Sequence, residues 1–273
     1  KKMSKSKGNV VTRMAMLEEY GSDAVRYWAC NGRPGTDTAL DPGVMKIGRR
    51  LAIKVLNASK FALGRLGDEA VPGLDSVHEA LDVALLAELA KLLEGATAAH
   101  ENFDYARALE LTEGFFWSFC DDYVELVKTR AYGEHTAEGA KSARATLAIA
   151  LSALHRLFAP FLPFVSEEVW SWWQEGSVHR APWPTLAEVG PHAGAEPAVL
   201  DVAAEVLGAI RRVKTEHKRS MRARVTTLTV TAPRAMLLDV EAAREDIVDA
   251  GGVDNFVTQE GEALSVEVEL AED

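Results

Sequence analysis

The chain has few of the features that would cross-link it or anchor it in a membrane. Only two cysteines, Cys30 and Cys120, occur in 273 residues, and both stand among apolar or aromatic neighbours. So few thiols exclude a disulfide-rich scaffold, and we expect buried free thiols rather than a disulfide or a metal pair. No apolar run approaches the roughly 20 residues that a membrane-spanning helix needs, and no secretory signal is recognisable. The sequence therefore predicts a soluble, cytoplasmic protein without a membrane partner.

The motifs of several enzyme classes are also absent. The sequence contains no CxxC pair, no HExxH and no Ser/His/Asp arrangement, so it offers no support for those reactions and predicts no metal site. Positive charge is in deficit, and the net charge is −11. Because phosphate contacts dominate affinity for nucleic acids, this balance argues against such a partner unless basic residues are concentrated locally.

Two segments concentrate basic residues in this way. No acidic residue occurs between Val44 and Gly67, where the basic residues recur at helical spacing: Lys46, Arg49, Arg50, Lys54 and Lys60. Residues 211–224 carry seven Lys/Arg against one Glu. An acidic protein with such basic stripes can still bind RNA locally, while its remaining surface repels misplaced backbone.

The hydrophobic pattern predicts a mainly α fold. Asp41 followed by Pro42 is typical of a helix start and predicts a long helix from that point, with one apolar stripe formed by Val44, Ile47, Leu51, Val55, Ala58 and Ala62. Four long amphipathic helices with short connections favour an antiparallel bundle. Further on, a helix and alternating β-branched segments predict a small mixed α/β unit. The predicted domains are a loop with connecting helices (1–42), the helical bundle (43–175), an extended connector (176–197) and the α/β unit (198–273).

The first residues have the composition of a phosphate-binding loop. Residues 2–10 read KMSKSKGNV, with three lysines, two serines and one glycine. Lysine supplies a mobile ammonium, serine a short hydroxyl donor, and glycine lets the main chain bend or approach closely. The pattern predicts a loop that holds a polyanion, with a merely solvated basic segment as the alternative.

The order of these residues resembles a known signature. Lys-Met-Ser-Lys-Ser at residues 2–6, followed by Lys-Gly-Asn, resembles the signature loop of class I aminoacyl-tRNA synthetases. Residues 12–28 resemble the helix and turn that follow this loop in the valine, isoleucine and leucine enzymes, and residues 33–61 are similar to the valyl enzymes in particular. The similarity continues in residues 115–128, 160–170 and 177–184. On this resemblance the chain is identified as a member of the valyl-tRNA synthetase family and, because it starts inside the motif, as the C-terminal piece of a longer protein.

The resemblance implies a chemistry for the loop. The family attaches valine to tRNA(Val) with Mg-bound ATP, so the full-length enzyme has ATP, valine and tRNA(Val) as partners. Lys5 is implied as the main contact of the departing pyrophosphate, Lys2 as a second cation, and Ser4 and Ser6 as hydroxyl donors. A Rossmann half with its His-Ile-Gly-His-like motif does not occur in these residues, so we expect the isolated chain to hold no cofactor and to catalyse nothing.

The resemblance also implies that the bundle is an anticodon-binding domain, and we expect a monomer. Arg50, Lys54, Asn57 and Phe61 are spaced by four, three and four residues, which places them on roughly one helix face. Such side chains bind single-stranded bases by stacking and edge hydrogen bonds. Phe61 matches a base-contacting aromatic position of the valyl family, with a core role as its alternative, and Asn57 has helix capping or tying as its alternative.

The second basic segment is predicted to contact the tRNA backbone, with a solvated junction as the alternative. Its candidate residues are Arg211, Arg212 and Lys214. Two other functions remain open. One is an isoleucyl- or leucyl-tRNA synthetase, because amino-acid choice lies outside these residues. The other is a tRNA-binding module without catalysis, against which the intact lysine loop argues.

Overall fold

Helices form most of the chain, and a small sheet follows them. The computed structural model describes residues 13–33, 35–66 and 71–271. The first eight helices are α1 Arg13–Tyr20, α2 Ser22–Cys30, α3 Pro42–Leu66, α4 Ala80–Glu101, α5 Tyr105–Ser118, α6 Val124–Tyr132, α7 Ala137–Phe158 and α8 Pro163–Trp170. The α/β part comprises α9 Ala198–Glu216, β1 Val225–Ala232, α10 Arg234–Ala242, α11 Arg244–Gly251, β2 Val253–Glu260 and β3 Ser265–Leu270. The predicted fold class is confirmed.

The contacts within the chain divide it into two units. The described residues of the first unit fall within Lys1–Leu63, Gly95–Glu113 and Leu151–Pro184. Those of the second unit fall within Gly64–Glu94, Gly114–Ala150 and Thr185–Asp273. The domain boundaries predicted from the sequence stay predictions.

The long helix α3 begins where the sequence predicts. Pro42 is its first residue, and the Asp41 carboxylate accepts a hydrogen bond of 2.7 Å from the Gly43 main-chain N–H. An aspartate before a first-turn proline satisfies an N–H that the helix cannot pair, and the proline lacks one of these donors altogether. Local capping chemistry therefore positions the start of this helix.

The buried face of α3 differs from the predicted apolar stripe. Met45, Leu51, Val55 and Ala62 are buried as part of the core, but Ile47 is 45% exposed. The reason is the approach of the Tyr27 ring, which would lie 2.7 Å from a Cβ atom added at Gly48. Packing on glycine turns the helix so that Gly48, rather than Ile47, faces the neighbouring helix.

Two pairs of consecutive helices, α4 with α5 and α6 with α7, run antiparallel. In the first unit, the rings of His100 and Tyr105 lie 6.1 Å apart, and Gly95 faces Leu111, so α4 and α5 diverge from a tight turn in opposite directions. The α5 helix continues into α6 through one π-helical turn, Phe119–Tyr123. In the second unit, the Arg130 side chain reaches the Gly139 carbonyl, so α6 and α7 also fold back on each other. Both reversals have the direction predicted for an antiparallel bundle.

The three-stranded sheet of the second unit has the order β2-β1-β3. Strand β1 pairs parallel with β2 and antiparallel with β3. Parallel neighbours need a crossover, which α10 and α11 provide. Val225, Leu228, Val230 and Ala232 of β1 are buried, as expected for a central strand with one face on a core.

The two cysteines are free thiols, with Cys120 buried and Cys30 partly buried. Burial raises the pKa of Cys30 above its ordinary value, and nearby Arg26 partly offsets that effect. The short helix α8 starts at Pro163, three residues before the serine at 166, so Ser166 lies inside the helix and is buried rather than capping it.

Candidate RNA-binding surfaces

The exposed face of α3 is basic without any acidic residue. The helix sequence is PGVMKIGRRLAIKVLNASKFALGRL, which contains neither Asp nor Glu. Most of its basic residues are exposed, namely Lys46, Arg49, Arg50 and Lys60. Surface helices usually balance such charges with acidic residues three or four positions away. This face therefore concentrates positive potential on a chain whose net charge is −11.

The four predicted anticodon contacts lie along this helix in two environments. Arg50 and Asn57 are exposed, whereas Lys54 and Phe61 are half-buried. Their span of eleven residues corresponds to roughly 16 Å of helix. The structure thus keeps the four on one elongated surface, with the aromatic ring at one end of it.

Neighbouring cations on α3 are held by protein groups. The Arg49 guanidinium donates a hydrogen bond of 2.8 Å to the Glu19 carbonyl, and the Lys60 ammonium lies 5.8 Å from the centre of the Trp172 ring. Arg50 has no hydrogen bond or ion pair within the described ranges of the chain. Lys46 likewise has none there, so Lys46 and Arg50 are the exposed cations of this face whose donors are available to a phosphate.

The second basic segment, which begins near the end of α9, divides its charges differently. Arg211 donates a hydrogen bond of 2.6 Å to the Asp121 carbonyl and lies 4.0 Å from the Asp122 carboxylate and 3.8 Å from that of Glu125. Arg212 is exposed. The two adjacent arginines therefore differ, because one is engaged by the π-helical turn and α6 while the other faces solvent.

Lys214 has the least exposed side chain of the three candidates in this segment. It is only 2% exposed, and its ammonium donates to the Met221 carbonyl at 3.1 Å and the Gly251 carbonyl at 2.7 Å. Burial lowers the pKa of Lys214, and the charges of Arg224 and Arg211 act in the same direction. The ammonium therefore ties the loop after α9 to the end of α11, and burial makes a direct phosphate contact unfavourable.

The residues of the lysine loop lie outside the described part of the chain. Lys2, Ser4, Lys5 and Ser6 all precede residue 13. Their predicted roles stay predictions. Within residues 13–33, 35–66 and 71–271, no group of three or more His, Cys, Asp or Glu side chains is arranged to hold a metal ion.

A buried charge cluster in the second unit was missed by the sequence reasoning. The Arg130 guanidinium donates to both oxygens of Asp82, at 2.7 and 3.1 Å, and to the Asp246 carboxylate at 2.9 Å. Tyr123 and Ser142 donate two more hydrogen bonds to Asp82, at 2.7 and 2.6 Å. The cluster joins α4, α6, α7 and α11, and its charged side chains are buried and paired with one another, so its role is structural. The one local signal for it is Asp82 inside an otherwise apolar helical run.

Burial and charge act against each other in this cluster. Burial opposes the charged form of Arg130, but the charge and hydrogen bonds of Asp82 outweigh burial and raise the pKa of Arg130. Burial raises the pKa of Asp246, and its contact with Arg130 partly offsets that rise. Because every charge here has an opposite partner, removing one member leaves another uncompensated.

A second buried polar pair, Ser59 and His155, lies in the first unit. Ser59 donates its hydroxyl to the Val55 carbonyl at 2.7 Å, and its oxygen lies 3.0 Å from His155 Nε2. Since the hydroxyl hydrogen is already used, Nε2 must be the donor in this pair, which leaves Nδ1 of the neutral ring unprotonated. Nδ1 is buried and has no partner among the described residues. Burial lowers the pKa of His155 from 6.5 to about 3.

None of the described helices is both long and apolar to the degree that crossing a membrane requires.

Comparison with known proteins identifies close relatives over almost the whole chain. The valine–tRNA ligase of Thermobifida fusca is 58% identical over 99% of this chain, and that of Salinispora tropica is 54% identical over 99%. The valine–tRNA ligase of Leifsonia xyli is 50% identical over 97%. The chain spans 31%, 33% and 31% of the length of these three relatives.

A solved structure supports the fold alone. The ternary complex of Agrobacterium radiobacter K84 agnB2 LeuRS with tRNA and LeuAMS superposes with a TM-score of 0.53 at 19% identity. The match covers 98% of this chain and 32% of that chain. At this identity the similarity concerns the path of the main chain and not the identity of site residues.

Two family models match different parts of the chain. The model of class I tRNA synthetases (I, L, M and V) matches residues 1–41, which include the lysine loop. The model described as the anticodon-binding domain of tRNA ligase matches residues 82–229. Since that second match covers more than half of the residues, the chain belongs to the family of anticodon-binding domains of tRNA ligases.

Proposed function

We propose that this chain is part of a valine–tRNA ligase, which activates valine with Mg-bound ATP and transfers it to tRNA(Val). The similarity to three valine–tRNA ligases along nearly the whole chain supports this assignment. The enzyme acts in the cytoplasm as a monomer. Within it, the residues of this chain supply the phosphate loop and a surface that binds the tRNA anticodon.

The charge of α3 carries the proposal, in a chain whose residues 82–229 match the model of an anticodon-binding domain. A helix with no acidic residue, on a chain of net charge −11, attracts RNA backbone to its exposed face. Arg50 and Lys54 then neutralise phosphates. Asn57 reads a base edge and Phe61 stacks on a base, because planar bases bind to aromatic faces and amides form paired hydrogen bonds with their edges.

The second surface acts through two arginines, the exposed Arg212 and the half-buried Arg211. Arg212 binds tRNA phosphate, while Arg211 lies beside it and is oriented by the carbonyl of Asp121. Lys214 stabilises the backbone beneath this surface, because its buried ammonium donates to two main-chain carbonyls. In this proposal the basic segment contributes two phosphate contacts and one internal tie.

The loop at residues 2–6 stabilises the leaving pyrophosphate. When the valine carboxylate attacks the α-phosphorus of ATP, negative charge grows on the β- and γ-phosphate oxygens. Lys5 and Lys2 lower the barrier because they bind this charge more tightly in the transition state than in the ground state, and Ser4 and Ser6 donate hydrogen bonds.

An Arg50→Ala substitution in the full-length protein that carries this chain tests the anticodon surface. We expect kcat/KM for aminoacylation of tRNA(Val) to fall roughly tenfold, and the slope of log affinity against log salt to become shallower by about 1, because one phosphate contact is lost. Valine-dependent ATP–pyrophosphate exchange, which needs no tRNA, should be unchanged.

Arg107→Ala is the matched control. Arg107 is an arginine on α5 of the same unit, 48% exposed in its side chain, and it is paired with Glu110 at 2.9 Å. Arg107→Ala should leave the aminoacylation rate and the salt slope unchanged. An unchanged aminoacylation rate and salt slope in Arg50→Ala would contradict the proposed surface. Loss of exchange together with aminoacylation would point to damaged folding, which a thermal melt detects.

A further inference from the structure

Two adjoining cavities occur in the first unit, and neither belongs to the basic face of α3. The larger cavity measures about 660 Å³ and is lined by residues of α2, α4, α5 and the turn after α7. The smaller cavity measures about 460 Å³. Arg26, Pro160 and Trp183 line both, so these three residues form a shared wall.

The larger cavity has an aromatic lining with a fixed geometry. The His100 ring stacks on Phe161 at 5.7 Å between centroids and meets the edge of Trp183 at 5.0 Å, while Tyr105 lies 6.1 Å away. The Trp183 indole donates a hydrogen bond of 2.8 Å to the Thr97 hydroxyl, which holds the ring in place. Rigid rings around a cavity of this size suit a planar heteroaromatic group.

His100 is a neutral member of this lining. Burial lowers the pKa of His100, which keeps the imidazole uncharged at neutral pH. Its Nε2 atom is buried and has no hydrogen-bond partner within the described chain.

The smaller cavity is basic. Arg26, Arg156 and His179 line it, and no acidic residue does. The nearest carboxylates in sequence already serve as caps: Asp23 accepts from the main-chain N–H groups of Phe164 and Val165, and Glu167 accepts from that of Val178. Such a cavity suits a phosphate group.

Arg26 is positioned between the two cavities. Its Nε atom donates a hydrogen bond of 2.7 Å to the Pro160 carbonyl, and this is its one hydrogen bond within the described residues, so both Nη groups remain available. The guanidinium is therefore anchored at one side and presents its remaining donors to a ligand. Glu101 lines the larger cavity only, and its charge directs an anionic group away from there towards the smaller one.

From this arrangement we propose that the cleft binds a nucleotide, with the base in the aromatic cavity and the phosphate at Arg26 in the basic cavity. The nucleotide is either free in solution or a unit of an RNA strand, since both offer the same base and phosphate. The site does not involve α3, so it stands whether or not the proposed anticodon surface is correct.

Indole N–H signals in 15N-correlated NMR spectra of the 273-residue chain test the proposal. The probes are adenosine 5′-monophosphate, adenosine, ribose 5-phosphate and a single-stranded adenylate hexamer. We expect adenosine 5′-monophosphate to shift the Trp183 signal and leave that of Trp117 in place, because Trp117 belongs to the other unit. Adenosine should bind roughly tenfold more weakly, since it lacks the charge-assisted contact. Ribose 5-phosphate alone should not shift Trp183.

Two variants separate the base from the phosphate. Arg26→Gln should weaken the monophosphate roughly tenfold, to the level of adenosine, and leave adenosine binding unchanged. Tyr105→Ala, at a residue that is 42% exposed and can be truncated without unfolding, should weaken both ligands. Arg107→Gln is the control and should alter neither.

The outcomes decide both the proposal and the source of the ligand. A Trp183 shift with the monophosphate assigns a free nucleotide, and a shift with the hexamer alone assigns a unit of RNA. No Trp183 shift with either probe at millimolar concentration overturns the proposal, as does an equal loss of adenosine and monophosphate binding in Arg26→Gln. If the proposed anticodon surface is wrong, the separate aminoacylation assay of Arg50→Ala shows it, whatever the outcome at Trp183.

Discussion

His155 should make the first unit sensitive to acid in a pH range where most exposed groups do not affect stability. Its neutral ring is fully buried with Nδ1 unpaired, and protonation would place a charged N–H there without an acceptor among the described residues. Its pKa is lowered from 6.5 to about 3. Below pH 6.5 the unfolded chain therefore takes up a proton that the folded chain refuses, so stability falls as the pH falls from 6.5 towards about 3.

The size of the effect follows from the displaced pKa. Between pH 7.5 and pH 5.0 the unfolded state gains most of one proton, which lowers the free energy of unfolding by about 2 kcal/mol. In a His155→Gln variant this contribution disappears, because glutamine can still donate to Ser59 but does not titrate. The difference in pH sensitivity between the two proteins isolates His155, since the shifts of other groups are common to both.

Urea unfolding followed by tryptophan fluorescence at the two pH values measures this difference. Of the six tryptophans, only Trp117 lies in the second unit, so the signal reports mainly on the unit that contains His155. His179→Gln is the matched control, because the same change is made at an exposed histidine of the same unit. If His155→Gln loses as much stability as the unmodified chain between pH 7.5 and 5.0, the reasoning from burial is wrong.

Three further predictions concern the charged groups. Arg130→Ala should lower the free energy of unfolding by about 3–5 kcal/mol in urea titrations, because it leaves two buried carboxylates uncompensated. The control Arg107→Ala should stay within about 0.5 kcal/mol of the unmodified chain. Equal effects of the two substitutions would show that the cluster does not stabilise the fold. In the full-length protein, Arg212→Glu should weaken tRNA binding and make the slope of log affinity against log salt shallower by about 1, without a change in melting temperature. Lys214→Met should lower the melting temperature and leave that slope unchanged. The reverse pattern would assign the phosphate contact to Lys214 and the internal tie to Arg212. The 273-residue chain by itself should show no valine-dependent ATP–pyrophosphate exchange above background. In the full-length protein, Lys5→Ala should lower the exchange rate by at least about 100-fold. Exchange by the chain alone would contradict the proposal that the loop only assists a catalytic part outside these residues.

Much of the helical architecture was predictable because its causes are local. The start of α3 at Pro42 follows from the Asp41 side chain and a proline at the first helical position, both visible in the sequence. One of the four predicted long helices is formed by α5, the π-helical turn and α6 in succession. The π-helical turn itself was not predicted, since its extra residue leaves the hydrophobic spacing nearly unchanged.

The candidate site was predictable in composition but not in exposure. Residues 211–224 contain seven basic residues, and their clustering predicts a single basic surface. In the structure Arg212 faces solvent, Arg211 is held by the Asp121 carbonyl, and Lys214 is buried against two carbonyls. The three are neighbours in sequence, but a helix turns about 100° per residue, so each meets a different environment.

The sequence by itself determined most of the helical segments, the cap of α3, the central strand and the family, because capping, periodicity and signature motifs depend on residues a few positions apart. Tertiary structure alone decided which side of α3 is buried, since that depends on the Tyr27 ring packing against Gly48. It also decided that Asp82, Arg130 and Asp246 meet, and that Arg26, His100 and Trp183 enclose one cleft. These groups are far apart in the chain, and their burial and pairing are set by how the helices pack rather than by any local pattern.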